Sequence, residues 1–198
     1  FNMNAHHYSD KELIGRYLQG HHTSLEILIS RHQNRVYAYI LMITKNKELA
    51  DDLFQDTFIK VINTIRSGSY NEEGKFLQWV MRIAHNLVID HFRKSNRIPV
   101  IDNSKNEDYD IFENLNVLEE SIEDRIITEQ IHQDVRKLIE LLPAEQREVL
   151  YMRHYAEMSF KDIAEVTNVS INTALGRMRY ALINLRKLIA ENNIVLTH

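Results

Sequence analysis

The chain has no cysteine, which excludes disulfides and thiolate metal sites and gives no sign of an oxidising compartment. It has 2 prolines and 5 glycines in 198 residues, too few breakers to punctuate a succession of strands and turns. No apolar run approaches the roughly 20 residues that span a bilayer. The polar, histidine-containing N-terminal stretch lacks the apolar core of a signal peptide. These absences lead to the expectation of a cytoplasmic protein with no membrane insertion.

Hydrophobic residues make up 44% of the chain, enough for one domain or two small ones to bury a core. Apolar side chains recur at helical spacing in three blocks: Leu25, Leu28, Ile29, Val36 and Ile40; Leu49, Leu53, Phe54, Phe58 and Ile62; and Phe76, Val80, Ile83 and Leu87. No comparable stretch alternates with period two. Ser9 with Glu12, Thr23 with Glu26, and Ser159 with Asp162 are spaced as capping boxes or their aspartate variant. The fold class expected is all-α.

Charge divides the chain. Lys75 to Arg97 holds five basic residues and one acid, whereas Asp102 to Asp124 holds nine acids and one lysine. The acidic stretch, with Pro99 just before it, reads as a flexible linker. Helical periodicity resumes near Ile122 and runs to Leu142, after which Pro143 can open a new helix at its first turn. The expected layout is a helical domain over residues 9–95, an acidic flexible linker over 96–120, and a second helical domain over 121–191.

The second domain contains DIAEVTNVSINTALGRMRYAL, residues 162 to 182. It reads as a short helix, a turn at Asn168, whose side chain tolerates the left-handed region, and a second helix capped by Ser170. Phe160, Ile163 and Ala164 are expected to face inward on the first helix, with Val169 beneath the turn. Ile171, Ala174, Leu175, Met178 and Leu182 form the expected inward stripe of the second. Ser170, Asn172, Thr173, Gly176, Arg177 and Arg179 then point outward. This is a helix-turn-helix pattern, in which asparagine and arginine near the start of the second helix can pair with base edges in a major groove. Ser170 to Lys187 holds four basic residues and no acid, a field suited to DNA although the whole chain carries −4. Paired short helices also occur in bundles that never meet DNA. Gly176, which costs about 1 kcal/mol against alanine in a helix, weighs toward the binding reading.

In the first domain, KFLQWVMRIAHNLVIDHFRK places Arg82, His85, Asn86 and Arg93 on a polar, basic stripe. It follows IRSGSYNEEG, a loop with two glycines and Tyr70. A cationic helix beside an aromatic ring suits single-stranded nucleic acid, through neutralised phosphates and stacked bases. Core packing is the competing reading for both rings. It is favoured for Trp79, which lies at helical spacing with other apolar residues, and evenly balanced for Tyr70 in its loop.

The order LADDLFQDTFIKV, FLQWVMRIAHNLVIDHFRK and LPAEQREVLYMRHYAEMSFKDIAEVTNVSINTALGRMRYALINLRK resembles the bacterial RNA polymerase sigma factors of the extracytoplasmic-function (ECF) type, in the sigma-70 family. The resemblance runs from about Leu25 to Ile189. It implies two helical domains, regions 2 and 4, joined by a linker that threads the polymerase's basic channels, with core RNA polymerase and promoter DNA, duplex and melted, as partners. It also implies roles. Ala50, Asp51, Asp52, Leu53, Gln55, Asp56 and Phe58 look like the surface that docks on core polymerase, carboxylates around an apolar centre. The loop from Arg66 to Lys75, including Tyr70, Asn71 and Lys75, looks like the element that captures a flipped base of the minus-ten element, while Trp79, Arg82, His85, Asn86 and Arg93 would lie along the separated strand. Region 4 would read the minus-thirty-five element through Ser170, Asn172, Thr173, Gly176 and Arg177, with Lys161 and Arg179 near phosphates. The chain departs from the family at Asn168, where glycine is common, and at Leu175-Gly176, where a more polar pair is common. Many members are restrained by an anti-sigma factor, a partner the resemblance allows.

Two other classes compete. A conventional helix-turn-helix regulator would bind DNA without polymerase, but it has no use for the basic helix and loop of the first domain. A metal-dependent enzyme would draw on the 10 histidines, yet His6-His7 and His21-His22 are adjacent pairs that share no helix face, and His85 and His91 are six apart with no HExxH pattern. No nucleophile constellation or phosphate-cradling glycine loop occurs. The expectation is a non-enzymatic promoter-specificity subunit with no catalytic residue, metal or cofactor, whose negative charge keeps its free DNA affinity low.

Overall fold

The computed structural model describes residues 8–71, 73–95 and 133–194. The linker expected over 96–120 and the start of the second domain, 121–132, lie outside them. Among the described residues every regular element is a helix: α1 Asp10–Leu18, α2 Thr23–Thr44, α3 Lys47–Arg66 and α4 Phe76–Lys94, then α5 over 133–140, α6 Ala144–His154, α7 Phe160–Thr167 and α8 Ile171–Glu191. The chain divides into two compact units, within 1–109 and 110–198.

In the first unit α2 packs against α1, α3 and α4, and α3 packs on α4. The capping box at Ser9 forms: its hydroxyl accepts from the Glu12 amide, and the Glu12 carboxylate accepts from the Ser9 amide at 2.7 Å. The box expected at Thr23 does not. Backbone bonds from Ser24 to His21 and from Leu25 to His22 carry the turn straight into α2, so Thr23 is already helical and His22 occupies the cap without a side-chain bond. Lys45 closes α2 in the left-handed region, φ 50°, and Asn46 caps α3 by accepting from the Leu49 amide at 3.0 Å. Leu28, Val36, Tyr39, Ile40, Val61, Val80, Met81 and Val88 make up much of the core, each at most 1% exposed.

Polar bonds set the register of these helices. The Tyr39 hydroxyl meets His85 Nδ1 at 2.9 Å inside the core, Tyr37 donates to Asp51 at 2.7 Å, and Arg66 Nε donates to the Tyr17 hydroxyl at 2.7 Å. Asp10 fastens α1 to α2, accepting from Arg31 Nη1 at 2.7 Å and lying 2.8 Å from His32 Nε2. Burial pushes the Asp10 carboxyl up, but His32, by hydrogen bond and charge, and then Arg31 outweigh it and hold the group below its ordinary value. A depressed carboxyl stabilises the fold above its unfolded pKa of about 3.9, and that contribution is lost as pH falls through the lowered folded value. Asp10→Asn is therefore expected to destabilise the first unit by about 1–3 kcal/mol at pH 7, with the gap between wild type and variant narrowing as pH falls below the unfolded value of about 3.9. Urea unfolding at pH 7 and at a series of lower pH values measures it, and a gap that stays constant would contradict the ionic origin.

In the second unit α6, α7 and α8 pack on one another. Pro143 lies one residue earlier than expected, at the cap of α6, where its carbonyl accepts from Gln146 and Arg147. Arg147, 2% exposed, reaches back to the Glu140 carbonyl at 2.9 Å and ties α5 to α6. Leu142, Leu150 and Ala181 form a buried cluster, with Ile139, Met178, Leu185 and Leu188 packed on it.

Candidate functional site

Three surfaces were expected to act, and the structure places their residues side chain by side chain.

On α3, Asp52, Gln55 and Asp56 are exposed. Asp51 is half-buried and accepts from Tyr37. Ala50, Leu53 and Phe58, expected as the apolar centre of a docking face, are at most 6% exposed. They share the inward stripe with Thr57, Val61 and Ile65, because residues three, four and seven apart in a helix fall on one side. They hold the helix from behind and form no exposed apolar centre. The apolar residue that does reach the surface is Ile59, 56% exposed. It stands three residues after Asp56 and seven after Asp52, so the four side chains Asp52, Gln55, Asp56 and Ile59 make one stripe. Ile59 lay outside the expected docking residues, although a helical wheel centred on Asp52 carries it.

On α4, Arg82, Asn86 and Arg93 are exposed, as are Ile89 and Asp90. Arg93 is a loose neighbour of Asp90 at 3.8 Å. His85 departs from the expectation. It is 6% exposed and bonded to Tyr39, since it falls on the inward side with Met81, Ala84 and Val88. The expected polar stripe therefore loses its histidine to the core. The preceding loop turns through Gly68 and Gly74 at positive φ, 70° and 74°, where a side chain would be strained. Lys75 is exposed at the cap of α4, and Asn71 donates to Glu73 at 3.2 Å. Tyr70 is folded onto the helix: its ring lies 4.2 Å from that of Trp79 and edge-on to Phe76 at 6.1 Å. Both Tyr70 and Trp79 are half-buried. Packing and presentation are combined here, because the two rings pack on each other while each stays partly exposed.

On α7 and α8 the turn is built as expected. Ser159 caps α7, its hydroxyl accepting from the Asp162 amide at 3.1 Å. Asn168 is left-handed at φ 55° and ψ 44°, and Ser170 caps α8 by accepting from the Thr173 amide at 3.1 Å. Ile163 and Ala164 are buried; Phe160 and Val169 are half-buried, the former under the Arg153 guanidinium at 5.0 Å. Lys161, Asn172, Thr173 and Arg179 are exposed, while Gly176 and Arg177 are half-buried. The inward stripe differs from the expected one. Ala174 and Ala181 are buried, with Met178, Leu185 and Leu188 beside them, whereas Ile171, Leu175 and Leu182 are 47%, 43% and 36% exposed. The alternating four- and three-residue spacing of 174, 178, 181, 185 and 188 keeps one side of α8 on the core. It turns 171, 175 and 182 about 60–100° away. Among the described residues no three histidine, aspartate or glutamate side chains gather as a metal site, and no helix is long and apolar enough to cross a membrane.

Two helical units, one with a solvent-facing acidic and apolar stripe and a basic helix, the other a helix-turn-helix, define a helical transcription protein. Residues 28–98 match the family model for sigma-70 region 2, and residues 132–180 match that for sigma-70 region 4; together the two matches cover more than half of the chain. The RNA polymerase sigma-H factor of Pseudomonas aeruginosa is 27% identical over 171 residues, 85% of this chain and 88% of that protein. The sigma factor YlaC of Bacillus subtilis is 29% identical, covering 82% and 91%, and the ECF sigma factor SigW of the same organism is 24% identical, covering 89% and 95%. Of solved structures, the sigma factor RpoE of Bartonella quintana, crystallised with the anti-sigma factor NepR, superposes with a TM-score of 0.62 at 20% identity, covering 84% of this chain and 96% of that one. CnrH in complex with the cytosolic domain of CnrY gives 0.59 at 20% identity, covering 92% and 97%. The chain belongs to the sigma-70 family and is an RNA polymerase sigma factor of the ECF type.

Proposed function

We propose that this sigma factor works through three surfaces. Asp52, Gln55, Asp56 and Ile59 of α3, with Asp51 at their edge, dock on core RNA polymerase. Arg82, Asn86 and Arg93 of α4 hold the separated minus-ten strand, and the Tyr70–Trp79 wall with Asn71 and Lys75 borders the captured base. Ser170, Asn172, Thr173, Gly176 and Arg177 read the minus-thirty-five element, with Lys161 and Arg179 near phosphates. Residues 9–95 and 121–191 are the two working modules, with 96–120 as the acidic connection between them. Holding an unstacked base offsets the few kcal/mol that unstacking costs, so promoter opening needs no chemistry from this chain. It acts without catalysis, in the cytoplasm, where polymerase and promoters meet. An anti-sigma factor, as found with RpoE of Bartonella quintana, is its proposed restraint.

The observation that carries the proposal is that α4 exposes a cationic stripe in the same chain as a helix-turn-helix. A regulator that recruits nothing needs only the second. In a test against core polymerase on resin, the wild-type chain is expected to be retained, and the double variant Asp52→Ala, Asp56→Ala is expected to lose most of that retention. Failure of both proteins to be retained, alongside tight duplex binding by the free chain, would overturn the proposal.

A further inference from the structure

Ile171 and Leu175 stand on the first two turns of α8, four residues apart and therefore on one side of it, and are 47% and 43% exposed. Leaving two large aliphatic side chains half in water forgoes the stabilisation that burial would bring. Their surroundings say what covers them. From Ser170 to Lys187 the helix carries four cations and no anion, so the partner is anionic. Asn172 and Gly176 follow Ile171 and Leu175 in sequence and lie on the adjoining strip of the helix. A Cβ at Gly176 would meet nothing within 4 Å; no internal packing requires the glycine, and its bare backbone lets the helix sit deep against whatever it meets. The apolar strip is interrupted. Met178, which would continue it, packs on the core with Arg179 exposed beside it, and Leu182, on the same side, is 36% exposed two turns further along; the Ile171–Leu175 pair is set apart at the start of the helix, the part that enters the groove in helix-turn-helix proteins. An anionic partner that also presents isolated apolar groups to a single inserted helix is the DNA major groove, where the only such group on the base edges is the C5 methyl of thymine.

We infer that Ile171 and Leu175 are specificity-determining residues that contact thymine methyl groups in the minus-thirty-five element. The inference rests on the region 4 reading above and deepens it. Asn172 supplies hydrogen bonds to base edges, whereas the two aliphatic side chains select thymine at neighbouring positions by excluding water from its methyl. The element read by this sigma factor therefore contains thymines that no hydrogen-bonding residue specifies.

The test uses the full chain assembled with core polymerase. Promoter fragments are selected from a pool randomised upstream of a constant minus-ten region, and each thymine of the selected upstream element is then replaced by uracil, which lacks only the methyl. For wild type, uracil at one or two positions is expected to weaken holoenzyme binding roughly three- to fivefold each, the scale of one buried methyl. Ile171→Ala and Leu175→Ala should each lose that penalty at one position while keeping the full retention of core polymerase. Uracil tolerated everywhere within about twofold, penalties unchanged in both variants, or a selected element without thymine would overturn the inference and leave the region 4 reading standing. A pool that yields no upstream preference at all would overturn both. A loss in the variants that is equal on every sequence would assign the pair to another protein surface and equally overturn the inference.

Discussion

Replacing Ile59 by serine is expected to weaken core-polymerase binding about ten- to hundredfold while leaving the stability of the first unit within about 0.5 kcal/mol of wild type. Phe58→Ala, one residue away, is expected to cost about 3–5 kcal/mol of stability. The contrast follows from burial alone: Ile59 is 56% exposed and Phe58 6%. On the proposed docking face, the exposed Ile59 among Asp52, Gln55 and Asp56 is the apolar centre, with carboxylates at its rim to guide a basic partner into register. Phe58 lies behind the helix with its ring 4.9 Å from that of Phe54, and its removal leaves a cavity. Titration of labelled polymerase and urea unfolding of the free chain measure the two effects separately. Equal loss of polymerase binding in a stably folded Phe58→Ala protein and none in Ile59→Ser would show that the docking face lies elsewhere.

The second large contrast lies on α4. His85→Ala is expected to destabilise the first unit by about 2–4 kcal/mol, because it removes a buried ring and its bond to the Tyr39 hydroxyl at 2.9 Å. Arg82→Ala and Asn86→Ala should each leave stability within about 0.5 kcal/mol. Their effect should fall on promoter opening: combined, they are expected to reduce open-complex formation at least roughly tenfold, through lost phosphate and base contacts to the separated strand. Permanganate reactivity of minus-ten thymines reads that loss, and salt strengthens the test, since removing a phosphate-contacting cation flattens the salt dependence of binding. Open-complex yields unchanged in the Arg82→Ala, Asn86→Ala protein would remove α4 from the strand-holding role.

Local order was legible in the residues. Ser9, Ser159 and Ser170 mark helix starts by accepting from amides three residues on, and Asn168 ends α7 in the left-handed region with its own amide donating to the Ala164 carbonyl; such bonds depend on nothing distant. The helical blocks were legible for the same reason, since a repeat of three and four residues needs only one side on which to bury its apolar groups. Thr23 misled because the carbonyls of the preceding turn, His21 and His22, already accept from the amides of Ser24 and Leu25; a cap exists only where the backbone is extended.

What an amino-acid sequence cannot announce is which of two plausible sides of an amphipathic helix faces the core. On α8 both 171/175/182 and 174/178/181 are apolar, and the alanines won because the neighbouring helices approach on their side. On α4 a histidine among basic residues reads as a ligand for nucleic acid until Tyr39, 46 positions earlier in the chain, is seen to bond it. On α3 Phe58 and Ile59 are adjacent and both large and apolar, and only the position of the surrounding helices decides that one supports the domain while the other faces solvent. Composition, caps and periodicity by themselves determined that this protein is a pair of helical units with one helix-turn-helix. Tertiary structure alone assigned inward and outward to each side chain, because burial depends on the relative placement of whole helices, and that placement is set by contacts between residues far apart in the chain.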